Sequence, residues 1–147
     1  MREILFRGKD IKGVWHIGLL AHIDEHWYIS NSKGDSTAFE VIPETIGQYT
    51  GLIDKNGNRI FEGDAFVDYG NYSIDVIEYR QGGFCLVSYG VKGALMEYGF
   101  DETECTHIDD YYVSRMEFLT NIHDNLELLK VRYNDKFNEE YASVFIE

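Results

Sequence analysis

Short runs of apolar residues recur along most of the chain, with turn-forming residues between them. In several runs apolar and polar side chains alternate, as at residues 72–79, and this period of two is typical of a half-buried β-strand. The pattern predicts strands at residues 3–7, 14–20, 26–29, 38–42, 52–53, 60–61, 66–69, 72–79, 84–89 and 113–119. The sequence therefore indicates a mainly β protein.

The segment 48–64 joins two of these apolar runs through a turn-rich centre. Asn56 and Gly57 adopt positive φ at low cost, so this pair between two strands predicts a hairpin with a type I′ turn. Gly51 and Gly63 flank the hairpin, where we expect a bulge or a tight bend. A further apolar run follows Asp64 directly, so we expect a third strand and the opening of a small barrel or roll.

The period changes near the end of the chain. Five apolar residues recur every four positions and predict one face of an amphipathic helix. They are Leu129, Tyr133, Phe137, Tyr141 and Phe145. Asp124 or Asn125 is placed to cap the start of this helix. The apolar face must pack either on the protein's own strands or on another subunit, and the sequence leaves both open.

Charge narrows the range of functions. The formal net charge of −13 argues against a general nucleic-acid binder and against binding to an anionic membrane, since both need a basic surface. The excess of negative charge is concentrated in residues 101–147, which contain 12 acidic and 4 basic side chains. This part either solubilises the protein or mimics nucleic-acid phosphates to bind a basic partner.

The cysteines and the apolar runs bear on location. Cys85 and Cys105 are too few for a disulfide framework, so a reducing, cytoplasmic setting is the default expectation. Cys85 lies in a predicted strand and is expected to be buried. The N-terminus lacks the apolar core of a signal peptide, and no run approaches the roughly 18 apolar residues of a membrane span.

Candidate metal ligands are weakly patterned. Asp54, Asn56 and Asn58 alternate as in a calcium loop, but Ala65 stands where a bidentate glutamate is needed. We therefore interpret the segment as a plain turn.

Two other clusters have similar shortcomings. His22 and His26 have a metal-binding spacing only on a helix, whereas the surrounding pattern is that of strands. Cys105 and His107 lack a second pair of ligands at zinc-finger spacing.

The sequence contains no P-loop, no nucleophile elbow and no dinucleotide fingerprint. Paired carboxylates such as Glu62 and Asp64 are expected by chance in a chain with 26 acidic residues. We therefore predict no catalytic residue, no cofactor and no metal. A metal-dependent enzyme is kept as the weaker alternative.

Aromatic residues are the best candidates for a binding surface. Trp15, Trp27, Tyr49 and Tyr69 are able to line a groove of the kind that small barrels use for peptides. The alternative is ordinary packing within the sheets, and the sequence does not exclude it.

Four segments together resemble the YopX family of bacteriophage and prophage proteins. They are MREILFRG at residues 1–8 with Trp15 following, VIPETIGQYTGL at 41–52, the DKNG and IFEGD motifs within 54–64, and NIHDN at 121–125. The resemblance covers about residues 1–129, and the block at 48–64 is its most specific part. The chain departs from the family at Leu126, where proline is usual, and the residues from Lys130 onward have no family counterpart.

The resemblance implies an SH3-like barrel core, a phage or prophage origin and self-association, and it implies no catalytic residues. We accordingly expect a strand-rich N-terminal part over residues 1–47, an SH3-like barrel over 48–122 and a helix over 123–147. The predicted function is that of an accessory protein in the bacterial cytoplasm that binds itself and a host or phage protein. It is expected to bind neither nucleic acid nor membrane directly, and an acidic decoy for a nucleic-acid-binding protein is the main alternative.

Overall fold

Backbone hydrogen bonds join the strands into two antiparallel sheets in a computed structural model of the chain. The structure describes residues 2–31, 37–68, 73–90 and 106–124. The strands are β1 Phe6–Lys9, β2 Trp15–Ile23, β3 His26–Asn31, β4 Ala38–Val41, β5 Gly47–Ile53, β6 Arg59–Phe61, β7 Asp64–Asp68, β8 Ser73–Arg80, β9 Gly83–Gly90, β10 Thr106–His107 and β11 Glu117–Asn121. A 3-10 turn spans Pro43–Thr45, and a one-turn helix, α1, spans Asp110–Val113.

The chain packs as two units. The first comprises Met1–Leu52 and Arg59–Phe61, and the second comprises Ile53–Asn58 and Glu62–Glu147. One sheet has the strand order β4-β3-β2-β1-β5-β6, and the other has the order β10-β9-β8-β7-β11.

Strand β1 is central to the first unit. Arg7 pairs with Ile17 on β2 and with Gly47 on β5. The sheet also curls, because the N–H of Ile42 donates to the carbonyl of Lys9 at 2.8 Å and so brings the chain after β4 back to β1. Gly8 permits this approach, since a Cβ at that position would lie 3.0 Å from Cβ of Val41. The strand runs to Lys9, two residues beyond its predicted end, because Gly8 and Lys9 pair with His16 and Trp15.

The second unit is built on the long β8–β9 hairpin. Its two-residue turn has φ values of 53° at Gln81 and 80° at Gly82, as a type I′ turn requires. Strand β7 pairs with β8 on one side and with β11 on the other. The core of this unit consists of Ala65, Ile74, Val76, Val87 and Ile122.

A helical turn precedes β11. Oδ1 of Asp109 accepts a hydrogen bond from the N–H of Tyr112 at 3.1 Å and caps α1. Val113 and Met116 are buried. The strand predicted at residues 113–119 therefore begins only at Glu117, because the first part of that segment turns to bury these two side chains.

The prediction of a mainly β protein is confirmed. The described strands form two open sheets and no closed barrel. The predicted C-terminal helix, with its apolar face from Leu129 to Phe145, lies outside the described residues, and the three-part division of the chain stays a prediction. Within the described ranges no helix is both long and apolar enough to span a membrane.

Candidate binding surface on the six-stranded sheet

The hairpin tip at residues 54–58 is organised by one carboxylate. Oδ1 of Asp54 accepts the N–H groups of Asn56 at 2.8 Å and Asn58 at 2.9 Å, and its carbonyl accepts the N–H of Gly57 at 3.0 Å. Gly57 has a φ of 85°, whereas Asn56 does not have positive φ. The tip is therefore a type I turn followed by a glycine bulge, and the type I′ prediction is wrong.

The loop between β1 and β2 has the same construction. Oδ1 of Asp10 accepts the N–H groups of Lys12 at 2.8 Å and Val14 at 3.0 Å, and Gly13 has a φ of 82°. The second oxygen, Oδ2, lies 2.8 Å from Nε2 of His16. This hydrogen bond to His16 is the largest of the effects that lower the pKa of Asp10 below its ordinary value of 3.8.

We expect Asp10→Asn to destabilise the protein at neutral pH and to matter less in acid. Because the pKa of Asp10 is lower in the folded state, its contribution is present above the unfolded value of 3.8 and is lost as the pH falls through the folded value. The measurement is the melting temperature of both proteins at a series of pH values. A difference that stays constant into strong acid would contradict the assignment.

In the second unit, two of the sequence motifs contact each other through buried polar side chains. Nδ2 of Asn121 donates to Oδ1 of Asp64 at 3.1 Å, and the N–H of His123 donates to Oδ1 of Asn121 at 2.9 Å. Gly63, with a φ of 86°, accepts a hydrogen bond from the N–H of Ile122 at 2.8 Å. The side chains of Asp64 and Asn121 thus stabilise the fold.

Gly51 likewise has a positive φ, of 90°, within β5. A Cβ at this position would meet no atom within 4 Å, so the requirement for glycine is purely conformational.

The hairpin of β2 and β3 separates the two candidate metal-binding histidines. His22 pairs with Trp27 and stacks on its ring at 4.0 Å, whereas His26 pairs with Ile23. Adjacent positions of a strand point to opposite faces, so these two imidazoles lie on opposite sides of the sheet. Nδ1 of His26 contacts Oε1 of Glu40 instead. The two histidines therefore do not form a shared site.

The second candidate cluster is only partly within the described residues. His107 is exposed on β10, opposite Cys85, while Cys105 lies outside the described part. Cys85 is fully buried, as expected. The cytoplasmic location stays a prediction.

The structure brings two of the four candidate aromatic residues together. Trp15 and Tyr49 lie on the same face of the six-stranded sheet, where the guanidinium of Arg7 is 4.6 Å from the Trp15 ring and 4.5 Å from the Phe61 ring. Tyr49 packs against Phe61 with ring centroids 5.6 Å apart and is buried. Trp27 lies on the opposite face, and Tyr69 lies outside the described residues.

An exposed apolar surface, which we call the β2 strip, lies on the face that carries Arg7 and Trp15. It consists of the outward side chains of Ile17, Leu19, Ala21 and Ile23. The three large ones are 44%, 53% and 57% exposed, respectively. The water-facing side of an antiparallel sheet normally carries polar residues. Four successive outward positions without a charge are therefore suited to contact with a protein.

Opposite charges flank the β2 strip. Arg7 and Lys9 lie beside its first residues, because they pair with Ile17 and Trp15. The acidic residues Asp24 and Glu25 form the turn at its other end. Sequence reasoning missed this surface because residues 14–20 have the apolar content of a core strand, and a pattern of alternation does not tell which face is covered.

The turn at Asp24 and Glu25 is conformationally costly. Their φ values are 50° and 67°, in the left-handed region that favours glycine. We expect Glu25→Gly to raise the free energy of unfolding by about 0.5–1 kcal/mol, measured by urea denaturation. Glu25→Gln is the matched control, because it removes the charge and keeps the conformational cost. Equal gains in both variants would show that charge, not backbone strain, is responsible.

Most of the acidic segment 101–147 lies outside the described residues, so the hypothesis of an acidic decoy stays a prediction.

Comparison with known proteins identifies the family of this chain. No curated protein matches the chain significantly. The family model described as YopX protein matches residues 10–130, which is most of the chain. The match agrees with the resemblance carried by the segments at 41–52, 54–64 and 121–125. The chain therefore belongs to the YopX family.

Proposed function

We propose that this protein is a non-catalytic binding protein that associates with itself and, in that assembled form, serves as an accessory protein of a phage or prophage. The observation that carries the proposal is the β2 strip, an uncharged apolar surface on a sheet whose other outward residues include charged ones. The side chains of Asp54, Asp64 and Asn121, which lie in the segments that resemble the family, serve local architecture, as does that of Asp10.

The strip supplies part of the free energy that association needs. Complete burial of an exposed Leu or Ile is worth about 1.5–3 kcal/mol, so three half-exposed side chains contribute roughly 2–4 kcal/mol per copy. Two copies would gain roughly 4–8 kcal/mol, against an association cost of about 4–15 kcal/mol. The apolar surface alone is thus marginal, and further contacts must add to it.

The first unit also supports a finer proposal about the fold. Strand β1 pairs with both β2 and β5, and a 3-10 turn connects β4 to β5. This order of elements is that of an SH3-like roll, so we propose that the SH3-like part lies within residues 6–53 and not in 48–122 as expected from the sequence. Rolls of this kind frequently serve as binding modules, which is an analogy and carries no specific partner.

The test is the mass of the protein in solution, measured by light scattering after size-exclusion chromatography. We expect the wild-type chain to exceed the monomer mass of 17.1 kDa and the double variant Leu19→Lys, Ile23→Lys to approach it. Ile11→Lys is the matched control, because Ile11 is 91% exposed and lies outside the strip. A wild-type monomer, or equal loss of assembly in the control, would contradict the proposal.

A further inference from the structure

Strand β2 extends beyond its neighbour β1. Their pairing ends at Phe6 and Gly18, whereas β2 continues to Ile23. The chain before Phe6 stays beside β5 and β6, since the carbonyl of Leu5 accepts the N–H of Tyr49 at 2.8 Å and Oε1 of Glu3 accepts hydrogen bonds from the guanidinium of Arg59. In the described part of the chain no strand pairs with residues 19–23 on the side away from β3.

The register of the hairpin defines which backbone groups lie on this open edge. Ile23 and His26 flank a two-residue turn, and in such hairpins the flanking pair exchanges both hydrogen bonds. Counting back from Ile23, every second residue of β2 therefore directs its backbone N–H and carbonyl groups towards β3. These residues are Ile23, Ala21 and Leu19. The N–H and carbonyl groups of Leu20 and His22 consequently point to the open side.

This edge lacks the features that usually protect strand edges. Residues 19–23 read Leu-Leu-Ala-His-Ile and contain no proline and no Lys, Arg, Asp or Glu. The pairing with β3 runs through them without a bulge. Natural edge strands are generally blunted by one of these devices, because an open edge is a template for a further strand.

We propose that two copies of the chain pair edge to edge through β2, antiparallel, with Ala21 facing Ala21 of the second copy. This inference rests on the proposed function and names its partner and contact. The register follows from the boundaries of the edge, because β1 occupies β2 up to Gly18 and the turn begins at Asp24. A two-fold pairing of the intervening residues must be centred on Ala21.

In this register the side chains and the backbone groups complement each other. Leu19 faces Ile23 of the second copy, so the two β2 strips become continuous. Leu20 faces His22, and these pairs form four backbone hydrogen bonds across the two-fold axis. These hydrogen bonds add to the free energy of association, which the apolar side chains of the β2 strip supply only in part.

Charge also favours a second copy as the occupant. In this register the turn at Asp24 and Glu25 of one copy lies beside the Phe6 end of β1 in the other copy, one residue from Arg7. The two-fold symmetry brings these opposite charges near each other at both ends of the pair. An unrelated extended peptide would need the same apolar centre and the same arrangement of end charges.

The first test removes one outward N–H group. His22→Pro eliminates it, and proline is tolerated where the N–H of an edge strand faces solvent. His22→Ala is the matched control, because it loses the same stacking on Trp27 and keeps the N–H. We expect the dimer dissociation constant to rise about tenfold or more in the proline variant relative to the alanine variant. Equal constants would overturn the proposal.

The second test reads the register and does not depend on the proline variant folding. Directly facing Cβ atoms of a non-hydrogen-bonded pair lie about 4.5–5.5 Å apart, close enough for a disulfide after a small adjustment. Ala21→Cys should therefore form a covalent dimer under mild oxidation, whereas Leu19→Cys, which faces Ile23, should not.

The outcomes separate the two proposals. A monomeric wild-type chain would overturn both the self-association and the edge pairing. The edge pairing alone would be overturned by three results together. Leu19→Lys would dissociate the oligomer, His22→Pro would leave it intact, and Ala21→Cys would form no crosslink. Crosslinking through Leu19→Cys in place of Ala21→Cys would overturn the register.

Discussion

Replacing Gly63 with valine should destabilise the protein by about 2–5 kcal/mol, the sum of two effects. The φ of 86° costs an L-residue about 1–2 kcal/mol. A Cβ would also lie 3.0 Å from Nδ2 of Asn121 and displace the side chain that bonds Asp64. Losing this buried hydrogen bond costs about 1–3 kcal/mol. The measurement is the free energy of unfolding in urea.

Gly57→Val is the matched control for this variant. Its φ is 85°, nearly the same, but a Cβ there would meet no atom within 4 Å. Only the conformational cost of about 1–2 kcal/mol should therefore appear. If the two variants lose equal stability, the contact between Gly63 and Asn121 contributes nothing. If Gly57→Val leaves the melting temperature unchanged, the turn assignment at residues 54–57 is wrong.

Phe61→Ala should cost about 3–5 kcal/mol, as truncation of a buried phenylalanine generally does. Phe61 is 2% exposed and packs with Leu5 and Tyr49. Its ring also lies 4.5 Å from the guanidinium of Arg7, which stacks on Trp15 as well, so the variant loses this cation–π contact. The unfolding free energy, again from urea denaturation, measures the loss.

Phe61→Leu separates packing from the aromatic contact. Leucine keeps most of the apolar volume, so we expect a loss below about 1.5 kcal/mol. A loss as large as that of the alanine variant would mean that the contact with Arg7, and not the filling of the core, dominates at this position.

The hairpin within residues 48–64 was predictable from the sequence, but the type of its turn was not. Asn56 and Gly57 have the preferred residues of a type I′ turn, yet the carboxylate of Asp54 bonds the loop N–H groups and favours a type I turn with a bulge. A type I′ turn occurs instead at Asp24 and Glu25, where the sequence contains neither glycine nor asparagine. The register of the flanking strands imposes that turn.

The Asp-x-x-Gly spacing is the local signal that would have found both bulged loops. Asp10 with Gly13 and Asp54 with Gly57 make the same set of backbone hydrogen bonds. An aspartate at the first position of a type I turn and a glycine at its last are both favoured residues.

Which candidate site residues lie on the same face of a sheet depends on strand register, and the register could not be predicted from the sequence. His22 and His26 would share a face in one continuous strand, but the turn between them places them in different strands and on opposite faces. Alternation likewise predicted a strand at Leu19 and could not show that its outward face is exposed. Exposure depends on which elements cover a sheet, and local sequence does not encode this.

Sedimentation equilibrium of the wild-type chain over a range of concentrations tests the central claim, self-association, most directly. We predict a mass that rises with concentration from 17.1 kDa towards twice that value. A mass that remains at 17.1 kDa at every concentration would contradict the account.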